Sequence, residues 1–441
     1  MSKNMGFKDS PLGLIPDDWE IVTIEDIGTI YSGGTPSRDN PSFWGGDIAW
    51  VTPTEITSLK GKYLTETREY ITKAGLIGSS ANLMPKDTLL ITTRATIGYV
   101  AISQIPITTN QGFKSIVTNQ SCNPNFYYHF LKFIASEMIR LASGSTFDEI
   151  SRRDFSSIFV VKPPRKEQEK IAEILDKVDS SIELTEALIK KLKQIKAGLL
   201  QDLLTRGLDE KGELRNPDTH PEQFKDSPLG KIPITWEVAT LESISTDKPY
   251  AIVDGPFGSN LKTEHYREQG IPVIQSGFVT SGKFFAESYV YVDQFLFNTQ
   301  KRSAVEAGDI VMAKIGAQCG TSAILPKDHS VGILAGNSLK ISIHPNKAKT
   351  EYILKLLHYY YDIGKVDLLK TETAQPAISL KNLRNILIPI PPFNEQEKIA
   401  KILDTQERAI EKEEQYLKKL KQKKQGLMQD LLTGKVRVNH L

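Results

Sequence analysis

Pro163-Pro164-Arg165-Lys166-Glu167-Gln168-Glu169-Lys170-Ile171-Ala172 returns later in the same chain as Pro391-Pro392-Phe393-Asn394-Glu395-Gln396-Glu397-Lys398-Ile399-Ala400. From Pro163 to Thr205 the second copy aligns without gaps at an offset of 228, and 27 of the 43 positions are identical. Two helices converging on a Leu/Lys/Glu composition would not also share their caps and terminal motifs. A second string, Phe7-Lys8-Asp9-Ser10-Pro11-Leu12-Gly13, recurs as Phe224-Lys225-Asp226-Ser227-Pro228-Leu229-Gly230. An Ile-Pro pair follows each copy, and then Trp19-Glu20 or Trp236-Glu237. The chain is an internal duplication. Between the shared segments the halves diverge. Asp87, Gly98, Ala101 and Ile102 still align with Asp309, Gly320, Ala323 and Ile324 at an offset of 222, Asn110 matches Asn337, and Ile150-Ser151 matches Ile378-Ser379.

Apolar residues within Glu167 to Leu204 recur at steps of four and three: Ile171, Leu175, Val178, Ile182, Ile189, Leu192, Leu199 and Leu203. The second copy places Ile399, Leu403, Ile410, Leu417, Leu420, Leu427 and Leu431 in the same way. This is a heptad seam on two long helices. Each begins just after a Pro-Pro pair, its acidic first turn suits the positive end of the helix dipole, and Gly207 or Gly434 supplies a stop. At ~1.5 Å per residue such a helix is a rod of about 57 Å. Lys196 and Lys424 occupy equivalent seam positions, either fixing register or marking a frayed end. Chain order favours an antiparallel pair, giving a dumbbell with pseudo-two-fold symmetry and adjacent chain ends; partner helices can add to it.

A chain of 441 residues exceeds one ordinary core and predicts several domains. Hydrophobic content of 39% with 24% charged residues describes a globular protein. No run of 18 apolar residues exists, and Met1-Ser2-Lys3-Asn4-Met5 precedes no apolar segment, so neither a membrane span nor a secretory signal is expected. Cys122 and Cys319 lack metal or redox spacing and suit small buried hydrophobes in a reducing compartment, which places the protein in the cytoplasm. A net charge of +2 neither demands nor excludes a polyanion partner.

The divergent regions mix strands and helices, an α/β (α+β) pattern. Strands are expected over 87–92, 99–102, 271–275, 309–315 and 339–343, and helices over 126–141 and 350–361. Asn40-Pro41-Ser42-Phe43 and Asp254-Gly255-Pro256-Phe257 approach the motif by which amino-methyltransferases hold an amino group, but neither is complete. No glycine loop lies between strand and helix to seat S-adenosylmethionine, and the histidines form no metal pair, so no catalytic, cofactor or metal residues are assigned. Cationic, polar and aromatic residues on loops suit nucleic acid better. In the first half these are Arg38, Trp44, Lys60, Lys62, Tyr63, Arg68, Arg94 and Lys114. In the second they are Lys262, His265, Arg267, Lys283, Lys301, Arg302, Lys314 and Gln318. Arg and Lys neutralise phosphates, while Arg and Gln also read base edges.

Taken together, these features resemble the specificity (S) subunit of type I restriction-modification systems. The resemblance rests on the Pro-Pro-x-x-Glu-Gln-x-Lys-Ile-Ala strings, the Gln-Asp-Leu-Leu-Thr helix ends at 201–205 and 429–433, and Ser32-Gly33-Gly34-Thr35-Pro36-Ser37. Trp44-Gly45-Gly46-Asp47-Ile48, Thr93-Arg94-Ala95-Thr96-Ile97-Gly98, Thr109-Asn110-Gln111-Gly112-Phe113 and Asp254-Gly255-Pro256-Phe257-Gly258-Ser259 add to it. Gln375-Pro376 fits the family's string before the second helix, whereas Thr146-Phe147-Asp148 departs from it before the first. The resemblance implies target-recognition domains over 1–160 and 224–390 and spacer helices over 161–206 and 391–441, the last with a C-terminal tail; the Gly, Pro, Asp and Asn composition of 207–223 reads as a linker. It implies a non-catalytic subunit reading a split site on double-stranded DNA. Two modification (M) subunits would bring S-adenosylmethionine and methylate adenine at N6; restriction (R) subunits would cleave using ATP and Mg. A self-contained DNA adenine methyltransferase and a coiled-coil scaffold without a DNA role are the competing readings.

Overall fold

The repeated Phe-Lys-Asp-Ser-Pro-Leu-Gly string folds the same way twice in the computed structural model, which describes residues 6–142, 149–371 and 376–438. Thr146-Phe147-Asp148 and Gln375 lie outside the described residues. Phe7–Lys8 pairs with Ile15–Pro16, and Phe224–Ser227 pairs with Gly230–Pro233. In both hairpins the serine hydroxyl donates to the glycine carbonyl at 2.6 Å and accepts from the leucine amide at 3.1 Å. Gly13 and Gly230 turn with φ of 92° and 88°, a left-handed conformation that a side chain opposes. Beyond the hairpins, Trp19 and Trp236 are fully buried.

Contacts divide the chain into two units, Met1–Leu188 with Glu413–Leu441, and Ile189–Lys412. The long helices run Arg165–Thr205 and Phe393–Leu432, slightly beyond the span expected from the seam, and each contributes residues to both units. Gly207 and Gly434, past their ends, take φ of 62° and 74°. In the first unit Lys424 lies 2.5 Å from Asp179, and Lys421 lies 2.7 Å from Glu186. In the second, Lys196 lies 2.9 Å from Glu407, and Gln406 donates to the Leu192 carbonyl at 3.0 Å. In the first unit partner numbers fall on one helix as they rise on the other, which makes the pairing there antiparallel. Both seam lysines are ion-paired to the other long helix.

Each unit anchors the start of one long helix with the same two side chains. Gln168 is fully buried: its amide donates to the Pro163 carbonyl at 2.8 Å, and its oxygen accepts from the Asn123 amide at 2.8 Å. Gln396 does likewise with Pro391 at 2.7 Å and Lys349 at 2.8 Å. Beside them, Glu167 accepts from the Trp19 indole at 3.0 Å and from Arg437 at 2.7 Å. Glu395 accepts from the Trp236 indole at 3.0 Å, from Arg215 at 2.6 Å and from the Leu208 amide at 2.8 Å. The stretch read from composition as a linker is therefore tied down within the second unit.

The domain helices dock on the long ones through paired charges. Residues 126–141 form two helices, Pro124–Phe133 and Ala135–Ala142, rather than one, broken at Ile134. His129 in the first of these lies 2.7 Å from Asp176 and 4.0 Å from Asp179. Lys62 reaches the same Asp176 at 2.6 Å. At the matching place in the second unit, Lys355 of helix Thr350–Asp362 lies 2.7 Å from Asp404 and 2.6 Å from Glu407. Burial lowers the His129 pKa against the pull of Asp176, favouring the neutral imidazole. Burial raises that of Glu407, but Lys355 and Lys196 outweigh it and hold the carboxyl at about 2.

Two outcomes follow for stability. Glu395→Ala strands Arg215 in a site where both side chains are 9% exposed, and should cost roughly 3–5 kcal/mol in denaturant unfolding. Glu407 has a folded pKa below its ordinary 4.5, so its stabilisation is complete above pH ~4.5 and is lost as pH falls towards 2. At ~1.36 kcal/mol per unit this is on the order of 3 kcal/mol. Unfolding midpoints measured against pH should fall less steeply over that window in Glu407→Gln.

Candidate nucleic-acid interface

The main sheet of the first unit has the strand order Gly28–Ser32, Phe113–Thr118, Leu89–Thr92, Val100–Ser103, Tyr63–Leu64. Phe113–Thr118 is antiparallel to both of its neighbours, with Lys114 opposite Ser32 and Phe113 opposite Thr92. The loops 33–38, 93–98 and 110–112 therefore leave from one end of the sheet. In the second unit the order is Ile252–Asp254, Ser338–Ile341, Ile310–Ala313, Ser322–Ile324, and antiparallel pairing again gathers three loops, after Asp254, after Ala313 and before Ser338. A smaller sheet accompanies each, built on one parallel pair: Trp44–Val51 with Ile107–Thr109, and Ile271–Ile274 with Gly332–Leu334.

Close backbone contact holds these loop ends together. A Cβ on Gly33 would sit 2.0 Å from the Asn110 carbonyl oxygen, and one on Gly255 would sit 1.9 Å from that of Ala335. The Thr93 amide donates to Gly112 and the Lys314 amide to Asn337, both at 2.8 Å. Hydrogen bonding thus matches Asn337 with Gly112, two residues from the Asn110 match read from the sequence. It also matches Asp87 with Gly308, whose φ values are 65° and 89° and whose amides donate to Ser103 and Leu325, instead of with Asp309. A single-residue length difference between the halves accounts for the latter shift.

The cations expected to meet nucleic acid fall into distinct settings. Arg94 and Lys114 share Glu149, at 3.8 and 3.7 Å, although the Lys114 side chain is only 7% exposed. Arg38 forms a bidentate pair with Glu69, at 2.5 and 2.9 Å, and its guanidinium lies 3.7 Å from the Trp44 ring centre. Arg38 keeps the Glu69 carboxyl below its ordinary range. Asp254 accepts from Lys314 at 2.6 Å and Arg302 at 3.2 Å, and Lys314 lies 4.1 Å from the Phe257 ring centre. Both candidate amino-group holders are thus engaged locally, since Asn40 caps a short turn by accepting from Ser42 at 3.1 Å. Gln318, Lys60, Arg68 and Lys301 are exposed. Lys262 and His265 lie on a short turn beyond Phe257, both near Glu264.

Other candidates are placed away from this end or committed elsewhere. Lys62, on the far side of the sheet, is bound to Asp176 and to Asn125, which also accepts from Tyr63 at 3.0 Å. Lys283 pairs with Glu411 of the second long helix. Arg267 donates to the Glu264 and Tyr266 carbonyls and to Asp293. Sequence reasoning passed over Glu69 and Asp254 as partners of these cations, because carboxylates 31 and 60 residues from their cations give no local signal. Gln111, which accepts from Thr35 at 2.5 Å, was visible only within a longer string.

Comparisons with known proteins identify the family of the chain. The family model described as the type I restriction modification DNA specificity domain matches twice, over residues 16–194 and 233–422. The MjaIX specificity subunit of a type I restriction enzyme from Methanocaldococcus jannaschii is 26% identical over 442 residues, covering 99% of this chain and 97% of its own. The EcoR124I/EcoR124II specificity subunit of Escherichia coli is 30% identical over 209 residues, 45% of this chain and 51% of that protein. The crystal structure of a type I restriction-modification S subunit from M. genitalium superposes with a TM-score of 0.56 at 18% identity, covering 94% of this chain and 96% of that one.

The glycine contacts make the loop ends testable. Gly33→Ala or Gly255→Ala should cost roughly 1–3 kcal/mol in thermal or denaturant unfolding, because backbone must move. Gly277→Ala, where nothing lies within 4 Å of a Cβ, should change little in the same assay.

Proposed function

This chain belongs to the type I restriction-modification DNA specificity family, and from that premise we propose that it is a non-catalytic subunit reading a DNA target in two halves, one by each unit. The observation that carries this reading is the repeated loop end of the main sheet. One backbone scaffold occurs twice, carrying Arg38, Arg94 and Gln111 in one unit and Lys314 and Gln318 in the other, where Arg302 joins through Asp254. A single scaffold bearing different side chains is what two unlike half-sites require.

In this reading the chain holds no cofactor. Two modification subunits carry S-adenosylmethionine and methylate adenine at N6, and restriction subunits use ATP with Mg to cleave. The paired long helices set the unread spacer, and a two-fold-like repeat suits half-sites on successive turns, about 34–36 Å or a multiple apart. Lys62 and Lys283 serve structure more than DNA contact in this proposal, because each is paired with a carboxylate of a long helix, and so does Lys114, whose side chain is only 7% exposed.

Exchanging residues 17–160 for the corresponding domain of another family member should change one half of the methylated sequence in the assembled complex and leave the other intact. Mapping N6-methyladenine in host DNA reads this directly; a change in both halves would refute independent reading. Lengthening both long helices by equal inserts should alter the spacer alone. Binding of S-adenosylmethionine by the purified chain would favour a self-contained methyltransferase, and absence of a footprint from the assembled complex would favour a scaffold.

A further inference from the structure

Arg38 differs from the other cations at the loop end of the first unit. Its guanidinium is fixed on two sides at once: the face rests 3.7 Å from the Trp44 ring centre, and both terminal nitrogens bind the Glu69 carboxylate. The shelf itself is fixed, since the Trp44 indole donates to the Ser37 carbonyl at 3.0 Å and packs edge-on against buried Trp50 at 5.0 Å. Yet the pair lies in water, with side chains 54% and 39% exposed. An ion pair so exposed contributes little to stability, so holding the fold together does not account for this degree of preorganisation.

The geometry points to a reader of a single G·C base pair in the first half-site, formed by Arg38, Glu69 and Trp44; this rests on the DNA-reading function proposed above. Arginine has five N–H donors, and the pair with Glu69 uses one on each terminal nitrogen. The Nε–H and the outer N–H of Nη2 form a second fork, which has no partner among the described residues. Such a fork matches O6 and N7 of guanine in the major groove, and the remaining lone pairs of Glu69 match the N4 amino group of the paired cytosine. Charge argues for a base over a phosphate. Arg38 and Glu69 cancel, so the cluster has little long-range pull on the DNA backbone, while the directional donors stay intact. Stacking on Trp44 restricts the guanidinium to one plane, so little side-chain entropy is lost when the base pair docks.

The test uses the full chain assembled with its modification subunits. In Arg38→Ala, methylation should lose its demand for G·C at one position of one half-site, with discrimination there falling roughly 5- to 150-fold. The other half-site should stay unchanged, which also reports that the complex is folded. Arg38→Lys keeps the charge but not the fork and should relax the same position; it decides the matter if Arg38→Ala fails to assemble. The dependence of binding on salt should keep its slope in both variants. Uniform weakening over all sequences with a slope reduced by about one would identify a phosphate contact and overturn the proposal. An unchanged methylation pattern would overturn it as well, leaving a structural pair. Sequence-independent methylation by the unsubstituted complex would instead count against the DNA-reading function as a whole.

Discussion

A carboxylate taken out of water must be met by donors, and this fold is built around two such groups, Glu167 and Glu395, at 2% and 7% exposure. Each stands in the first turn of a long helix, where unpaired backbone amides favour negative charge. Each is met by an indole from the segment after the repeated hairpin and by an arginine from the segment that follows the other long helix. Satisfying one carboxylate therefore brings together the start of a domain, the start of one helix and the chain beyond the end of the other. The neighbouring glutamine ties in the helix of the α/β domain through a backbone amide. Once these two residues are satisfied, the parts of a unit have few other ways to assemble.

Much of this was legible in the sequence, and the reason is the duplication. The identical Glu-Gln pairs, the buried tryptophans and the serine-glycine hairpins have matching surroundings because the residues that surround them are matched too. Heptad spacing located the long helices to within a few residues, since a seam of apolar side chains has no other use at that length. Two strands of each main sheet, Leu89–Thr92 with Val100–Ser103 and Ile310–Ala313 with Ser338–Ile341, were found as apolar runs to within a residue or two, whereas Phe113–Thr118 and the shorter strands were passed over. The break at Ile134 was invisible to periodicity, because helical spacing continues across it. Harder still were the carboxylates that hold Arg38 and Lys314, brought close by sheet topology and by no local pattern.

The candidate cations divide by how their charge is balanced. Most of those at the loop ends share a carboxylate with another cation: Arg94 with Lys114 on Glu149, and Lys314 with Arg302 on Asp254. These clusters keep a net positive charge and suit a polyanion. Arg38 with Glu69 is neutral and directional, suited to hydrogen-bonded recognition. Bulk composition averages the two kinds together, which explains why a net charge of +2 said so little about the partner.

The buried charges beneath the two domains balance by different means. Under the second, Lys355 comes from the docking helix itself; under the first, the corresponding position is the neutral His129, and the cation is Lys62 from a distant loop. The copies have thus drifted into separate solutions of one electrostatic problem. A hybrid assembled from the docking helix of the first and the loops of the second would set Asp176 and Asp179 against a single imidazole and Lys424. Interchangeability here belongs to whole modules, and a chimera must carry its counterion with it.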